Sequence, residues 1–116
     1  MEDHLHPCQV FASDTDYGGI VHHASYLRFF EQGRTGWMQE KDTDFIKTQK
    51  QFVCFLVVRQ CELHYHKPAR LYDQLTVVTQ AQATRPTELS FSQQIKCDET
   101  VLVTASIMMV CVNEAM

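Results

Sequence analysis

Two aspartates, two glycines and two histidines fall within ten residues, Asp14-Thr15-Asp16-Tyr17-Gly18-Gly19-Ile20-Val21-His22-His23. A carboxylate can attack a carbonyl carbon directly or take the proton from a water that does so. Glycines let the backbone adopt positive φ or lie close against a ligand. A helix is expected to begin just after this segment. The unpaired N–H groups at a helix start carry a partial positive field, suited to the negative charge that a carbonyl oxygen acquires under attack. The same composition also fits a plain loop in which Asp14 and Asp16 only make turn hydrogen bonds. Residue types alone leave these two readings level.

Other candidate chemistry is weaker. His4-x-His6 and His64-x-His66 have a spacing that places two imidazoles on one face of a strand, but no third metal ligand is recognisable nearby. Solvent-facing strand histidines account for both pairs. The five cysteines, Cys8, Cys54, Cys61, Cys97 and Cys111, are odd in number and form no Cys-x-x-Cys. They are read as reduced, mostly buried small apolar residues. Gly-x-Ser-x-Gly is absent, so serine or cysteine hydrolase chemistry has no foothold.

The formal net charge is −4 and the ten Lys and Arg are scattered, which argues against nucleic acid as a partner. The first seven residues, Met1 to Pro7, contain two acids and no apolar stretch, so no secretory signal is expected there. No run approaches the roughly 20 apolar residues that span a bilayer. The expectation is a cytoplasmic protein without membrane insertion.

The elements that must position the Asp14–His23 segment follow from periodicity. The 116 residues suit one domain, 1–116. Cys8 to Ser13 is a short candidate strand. Ser25 is a candidate N-cap, and Tyr26 to about Lys41 carries Leu27, Phe30, Arg34, Trp37 and Met38 at helical spacing. Gly33 and Gly36 weaken such a helix, so they are expected where surrounding structure comes close. Phe52 to His66 turns into period-two alternation, as do Leu75 to Ala83 and Leu89 to Ile95, with Thr84-Arg85-Pro86-Thr87 as the turn. Val101 to Val112 is apolar on both faces and reads as a central strand.

One strand, one long helix and four strands point to an antiparallel sheet with a helix packed on it. A helix of about 16 residues is ~24 Å long, similar to the width of five strands at ~4.8 Å. It is only ~10 Å thick, however, whereas a strand of about twelve residues runs to ~40 Å. The sheet must curl around the helix, and its remaining apolar edges call for another copy of the chain. A homodimer or homotetramer is expected.

Residues 14 to 31, Asp-Thr-Asp-Tyr-Gly-Gly-Ile-Val-His-His-Ala-Ser-Tyr-Leu-Arg-Phe-Phe-Glu, resemble the signature of the 4-hydroxybenzoyl-CoA thioesterase-like hotdog family, and within it the Tol-Pal-associated acyl-CoA thioesterases. Tyr65-His66-Lys67-Pro68-Ala69, with Asp73 and Leu75, resembles a further strand and turn of that family, so the likeness covers nearly the whole chain. The resemblance implies an α+β hotdog fold, a five-stranded antiparallel sheet curled around one long central helix. It implies hydrolysis of acyl-CoA with no metal or redox cofactor, at a site on a subunit interface.

By the same resemblance Asp16 is the catalytic carboxylate, as nucleophile or general base, and the backbone N–H near His23 binds the thioester oxygen. His23 takes the place of the family's active-site histidine, with Tyr17 nearby, and Gly19, Val21 and Tyr26 join the substrate-binding set. Asp14 is then a loop-shaping residue, His22 an exposed loop residue, and Glu31 a structural or orienting one. Tyr26, Phe29 and Phe30 are expected to line an apolar acyl slot. Coenzyme A phosphates call for basic residues, for which Arg59, Lys67, Arg70 and Arg85 are candidates, although Glu88 stands close to Arg85 in sequence. Two alternatives remain: a non-catalytic module binding acyl-CoA or acyl carrier protein, and a dehydratase or hydratase of β-hydroxyacyl or enoyl thioesters.

Overall fold

In a computed structural model that describes residues 3–40, 55–85 and 87–112, the segments with period-two alternation are strands and the segment with helical spacing is a helix. The elements are β1 (His4–Gln9), a 3-10 turn (Ala12–Asp14), α1 (His23–Glu40), β2 (Phe55–Tyr65), β3 (Gln74–Arg85), β4 (Glu88–Cys97) and β5 (Thr100–Val112). The expected helix end at Lys41, the strand start at Phe52, and Cys54 and Pro86 lie outside the described residues.

The strands form one antiparallel sheet in the order β1-β3-β4-β5-β2. β5 is interior, as expected, and β1 and β2 are the edges. Register shifts interrupt three ladders, between Val58 and Gln60, Ala83 and Arg85, and Ile95 and Lys96. Each such irregularity adds local bend and twist, which is how a sheet of long strands is curved.

Alternate residues of β3 and β4, among them Leu75, Val77, Leu89, Phe91 and Ile95, are buried together with the α1 side chains Tyr26, Phe29, Phe30 and Trp37. Trp37 meets Phe91 edge-on, with ring centroids 5.5 Å apart. The phase of α1 differs from the periodicity reading. Its buried face is centred on Tyr26, Phe30, Gly33 and Trp37, while Leu27 is 48% exposed.

Gly33 lies at the middle of this face, and a Cβ built there would come within 2.5 Å of Val77 Cγ1. Gly36 similarly admits His4, whose Nε2 would lie 2.7 Å from an added Cβ. Alanine gains about 1 kcal/mol over glycine in helix propensity, yet overpacking costs about 1–3 kcal/mol. Gly33→Ala is therefore expected to lower the urea midpoint despite the better helix former. A raised midpoint would mean that Val77 yields without cost.

Three further differences have local causes. The first strand is His4–Gln9 rather than Cys8–Ser13, because Val10 N–H donates to Asp73 O and the chain from Phe11 then winds into the 3-10 turn. Pro7 sits in β1 without harm because β1 is an edge. The helix starts at His23, before the expected N-cap, because the Ser25 hydroxyl donates to Asp14 O at 3.2 Å instead of capping. Finally, the cysteines are not uniformly reduced and buried: Cys111 is disulfide-bonded and Cys61 is exposed. Burial pushes the Cys8 thiol up to about 11.

Among the described residues no helix is long and apolar enough to cross a membrane.

Candidate active site

The loop between β1 and α1 is organised around Asp14. This side chain is buried, accepts the Phe11 N–H at 2.9 Å and is ion-paired with Arg28 on the first turns of α1. Its carbonyl oxygen accepts the His22 N–H at 2.9 Å and the Ser25 hydroxyl. One residue thus ties both ends of the loop to the helix. The expectation that Asp14 shapes the loop matches this geometry.

Asp16 has the opposite environment. It is exposed at the loop tip, and its Oδ1 accepts the Gly18 N–H at 2.9 Å. Gly19 has φ +76°, the left-handed region that favours glycine, and its N–H donates to Asp16 O at 3.1 Å. Asp16 N–H donates to Ile20 O, and Thr15 bridges Val21, so the loop is a miniature hairpin that sets Asp16 opposite Ile20. Tyr17 at the tip is fully exposed.

The other arm of this hairpin is one wall of a cavity of about 200 Å³. Ile20, Val21, His23 and Tyr26 line it on one side, and Tyr65, His66, Lys67 and Pro68 on the other. His23 is the first residue of α1, so the cavity opens beside a helix N-terminus. The His22 and Ser25 N–H groups have acceptors, whereas those of His23 and Ala24 have no backbone acceptor among the described residues. These N–H groups and the partial positive field of the helix start suit an acceptor oxygen.

Three rings fix the geometry there. The His23 ring stacks on Tyr65 with centroids 4.6 Å apart. The buried Tyr26 hydroxyl accepts the Ala69 N–H at 2.9 Å, and burial pushes its pKa up, so it keeps its proton. Val21 N–H donates to Ala69 O at 3.0 Å and Leu71 N–H to Gly19 O at 3.0 Å, which clamps the 67–73 segment onto the loop.

Of the residues singled out from sequence, Val21, His23, Tyr26 and Lys67 meet in one cavity, with Asp16 and Gly19 in the hairpin that walls it. Arg59 and Arg85 are elsewhere, both within 4 Å of Glu88, at 3.5 Å and 3.7 Å. Phe29 and Phe30 are wholly buried in the core and are not in the lining of this cavity, so the expected acyl slot keeps only Tyr26. Tyr65, His66 and Ile20 were not assigned to the site from sequence. Tyr65 and His66 lie in the second recognisable segment, and that adjacency to Lys67 was the available signal. Arg28 as the partner of Asp14 had none.

His64 Nε2 lies 3.2 Å from Glu62 Oε1, and His66 Nε2 lies 3.2 Å from Thr104 Oγ1. His4 is paired with Glu40 and largely buried rather than solvent-facing. Among the described residues no cluster of three or more His, Cys, Asp or Glu is placed to hold a metal.

The chain is similar to known proteins along most of its length. The profile described as the thioesterase-like superfamily matches residues 10–115. The acyl-CoA thioester hydrolase YbgC of Escherichia coli O6:H1 is 38% identical over 108 residues, covering 92% of this chain and 80% of the relative. The acyl-CoA thioesterase YbgC of Haemophilus influenzae is 32% identical, with 92% and 79% covered. Among solved structures, a probable thioesterase from Bartonella henselae superposes with a TM-score of 0.84 at 32% identity, over 97% of this chain and 92% of that one.

Proposed function

Since the chain belongs to the thioesterase-like superfamily and is a thioester hydrolase of hotdog fold, we propose that it hydrolyses acyl-CoA thioesters to the free acid and coenzyme A, with Asp16 as the reacting carboxylate. The observation that carries this reading is the pairing of an exposed, glycine-held carboxylate with a helix N-terminus across one small hairpin.

In the proposed reaction the thioester oxygen lies against the N–H groups at His23 and Ala24. Asp16 either attacks the acyl carbon, giving a mixed anhydride that water then opens, or draws the proton from an attacking water. The C–S bond breaks as the C–O bond forms, and the departing thiolate takes up a proton. The His23 ring orients substrate or water from its stack on Tyr65. Lys67 at the cavity mouth supplies positive charge for a coenzyme A phosphate.

A cavity of about 200 Å³ is smaller than the roughly 300–1,000 Å³ of most ligand sites. The edge strand β2 also leaves Val57, Val58 and Tyr65 substantially exposed. Both features support a homodimer or homotetramer in which a second copy completes the site. Arg59 and Arg85 enter the proposal as phosphate contacts only from that second copy. The compartment that fits this substrate is the cytoplasm.

The test is incubation of the full chain with a panel of aromatic, short and long acyl-CoAs while free thiol is followed. Release of thiol is the expected result. Tight binding of acyl-CoA or acyl carrier protein without thiol release would replace this reading with a binding module. Loss of enoyl absorbance without thiol release would replace it with a hydratase.

A further inference from the structure

A second space, of about 370 Å³, opens between the later turns of α1 and the start of β2, beside Met109 of β5. Met38, Leu56, Val58 and Met109 give it apolar walls, and Glu31, Arg34 and Thr35 contribute the polar groups. The two spaces draw on the same two elements. His23 and Tyr26 of α1 face Tyr65 of β2 at one end; Arg34 and Met38 of α1 face Leu56 and Val58 of β2 at the other. Leu27, Leu63 and Cys61 lie between, and Leu27 and Cys61 are exposed. From His23 to Arg34 the helix advances about 16 Å, the reach of an extended acyl chain of roughly a dozen carbons.

Arg34 is the unusual residue in this space. It is 7% exposed, its Nη1 donates to Gln93 Oε1 at 3.2 Å, and its guanidinium lies 6.0 Å from the Phe91 ring centre. Among the described residues no carboxylate is within ion-pairing distance of it, although a guanidinium carries five N–H donors. Gln93 is fully occupied, since its Nε2 donates to Phe30 O at 3.0 Å and to Thr79 Oγ1 at 2.9 Å. A buried cation whose only hydrogen-bond partner is neutral is costly, and an acceptor arriving from the cleft would relieve that cost. Burial pulls the Arg34 pKa down and nearby Glu31 pushes it up, yet a guanidinium stays charged.

We propose that Arg34 receives the far end of the acyl chain, and that the preferred substrates carry a carboxylate there: mono-coenzyme A thioesters of medium-chain dicarboxylic acids. A carboxylate matches the planar fork of a guanidinium with two parallel hydrogen bonds, which an alkyl terminus cannot do. Glu31 lines the same space but is exposed, so its opposing charge is screened by solvent. The inference rests on the reading of the His23 cavity as the thioester site.

The experiment compares matched pairs of coenzyme A thioesters, one ending in methyl and one in carboxylate, with chains of about six to fourteen carbons. In the wild type the carboxylate-ended member should show a KM at least about tenfold lower, most clearly near a dozen carbons. Arg34→Met should abolish the difference within each pair, and Glu31→Gln should preserve it or widen it slightly. Equal KM values across every wild-type pair would overturn the inference. If Arg34→Met fails to fold, the wild-type pairs and Glu31→Gln decide alone, and a preference that Glu31→Gln narrows would also overturn it. Calorimetric titration of the same pairs into Asp16→Asn separates the two readings. A carboxylate preference in binding supports the Arg34 subsite even where wild type releases no thiol. Equal binding of the two members, or none of either, refutes it.

Discussion

Asp16→Asn is expected to reduce thiol release from acyl-CoA by about 10³-fold or more while leaving the melting transition unchanged. The amide has nearly the shape of the carboxylate but can neither attack a thioester nor take a proton from water. Stability should survive because Asp16 is exposed and, among the described residues, its Oδ1 accepts just the Gly18 N–H, a bond that an amide oxygen can also accept. Undiminished thiol release would remove Asp16 from the mechanism. His23→Ala should cost less, about tenfold, because the backbone N–H at the helix start remains and only the ring stacked on Tyr65 is lost. A loss equal to that of Asp16→Asn would exchange the two roles.

The neighbouring acid should behave in the reverse way. Asp14→Ala is expected to lower folding stability by about 2–4 kcal/mol, because it leaves Arg28 without its partner and the Phe11 N–H without an acceptor. Arg28 is 46% exposed on its side chain, so water softens the loss and keeps it below that of a fully buried pair. Denaturant titration measures it directly. Loss of activity with unchanged stability would make Asp14 a participant in the chemistry rather than the anchor of the loop. Two carboxylates two residues apart thus separate by assay, one in rate and the other in stability.

Much of the fold was legible because its signals are local and periodic. β3 and β4 alternate strictly, and the long apolar run of β5 marks it as an interior strand. The phase of α1 was misread because a residue at the centre of its buried face, Gly33, has no side chain to register as hydrophobic. Aromatic residues on either side then allow two phases, one that includes Leu27 and one that includes the buried Tyr26. β1 was misplaced because its inward positions are His4 and His6, polar residues that face the helix only because Gly36 makes room.

The candidate site divides in the same way. The loop chemistry and the helix start could be read from the chain, but the choice of Asp16 over Asp14 needed either the family likeness or the sight of Arg28 beside Asp14. That pairing connects residues fourteen apart through a folded loop, and no spacing rule announces it. Arg34 was counted among the helix face and nothing more. Its isolation shows only when its surroundings can be inspected, since a buried cation lacking an anion has no signature in sequence.

The clamp between the loop and the 67–73 segment has a consequence for the order of folding. Val21 pairs with Ala69, Ile20 with Arg70, Gly19 with Leu71, and Val10 with both Tyr72 and Asp73, so these loop contacts reach partners roughly fifty to sixty residues along the chain. Closing so long a stretch of chain is slow in entropic terms, and contacts of high sequence separation form late. The helix and the β3–β4 hairpin can form from near neighbours, but the hairpin bearing Asp16 gains its shape only after the strand that follows α1 has been laid down and turned. In refolding experiments, recovery of thiol release should therefore lag the recovery of helical signal, making turnover the last property of the chain to return.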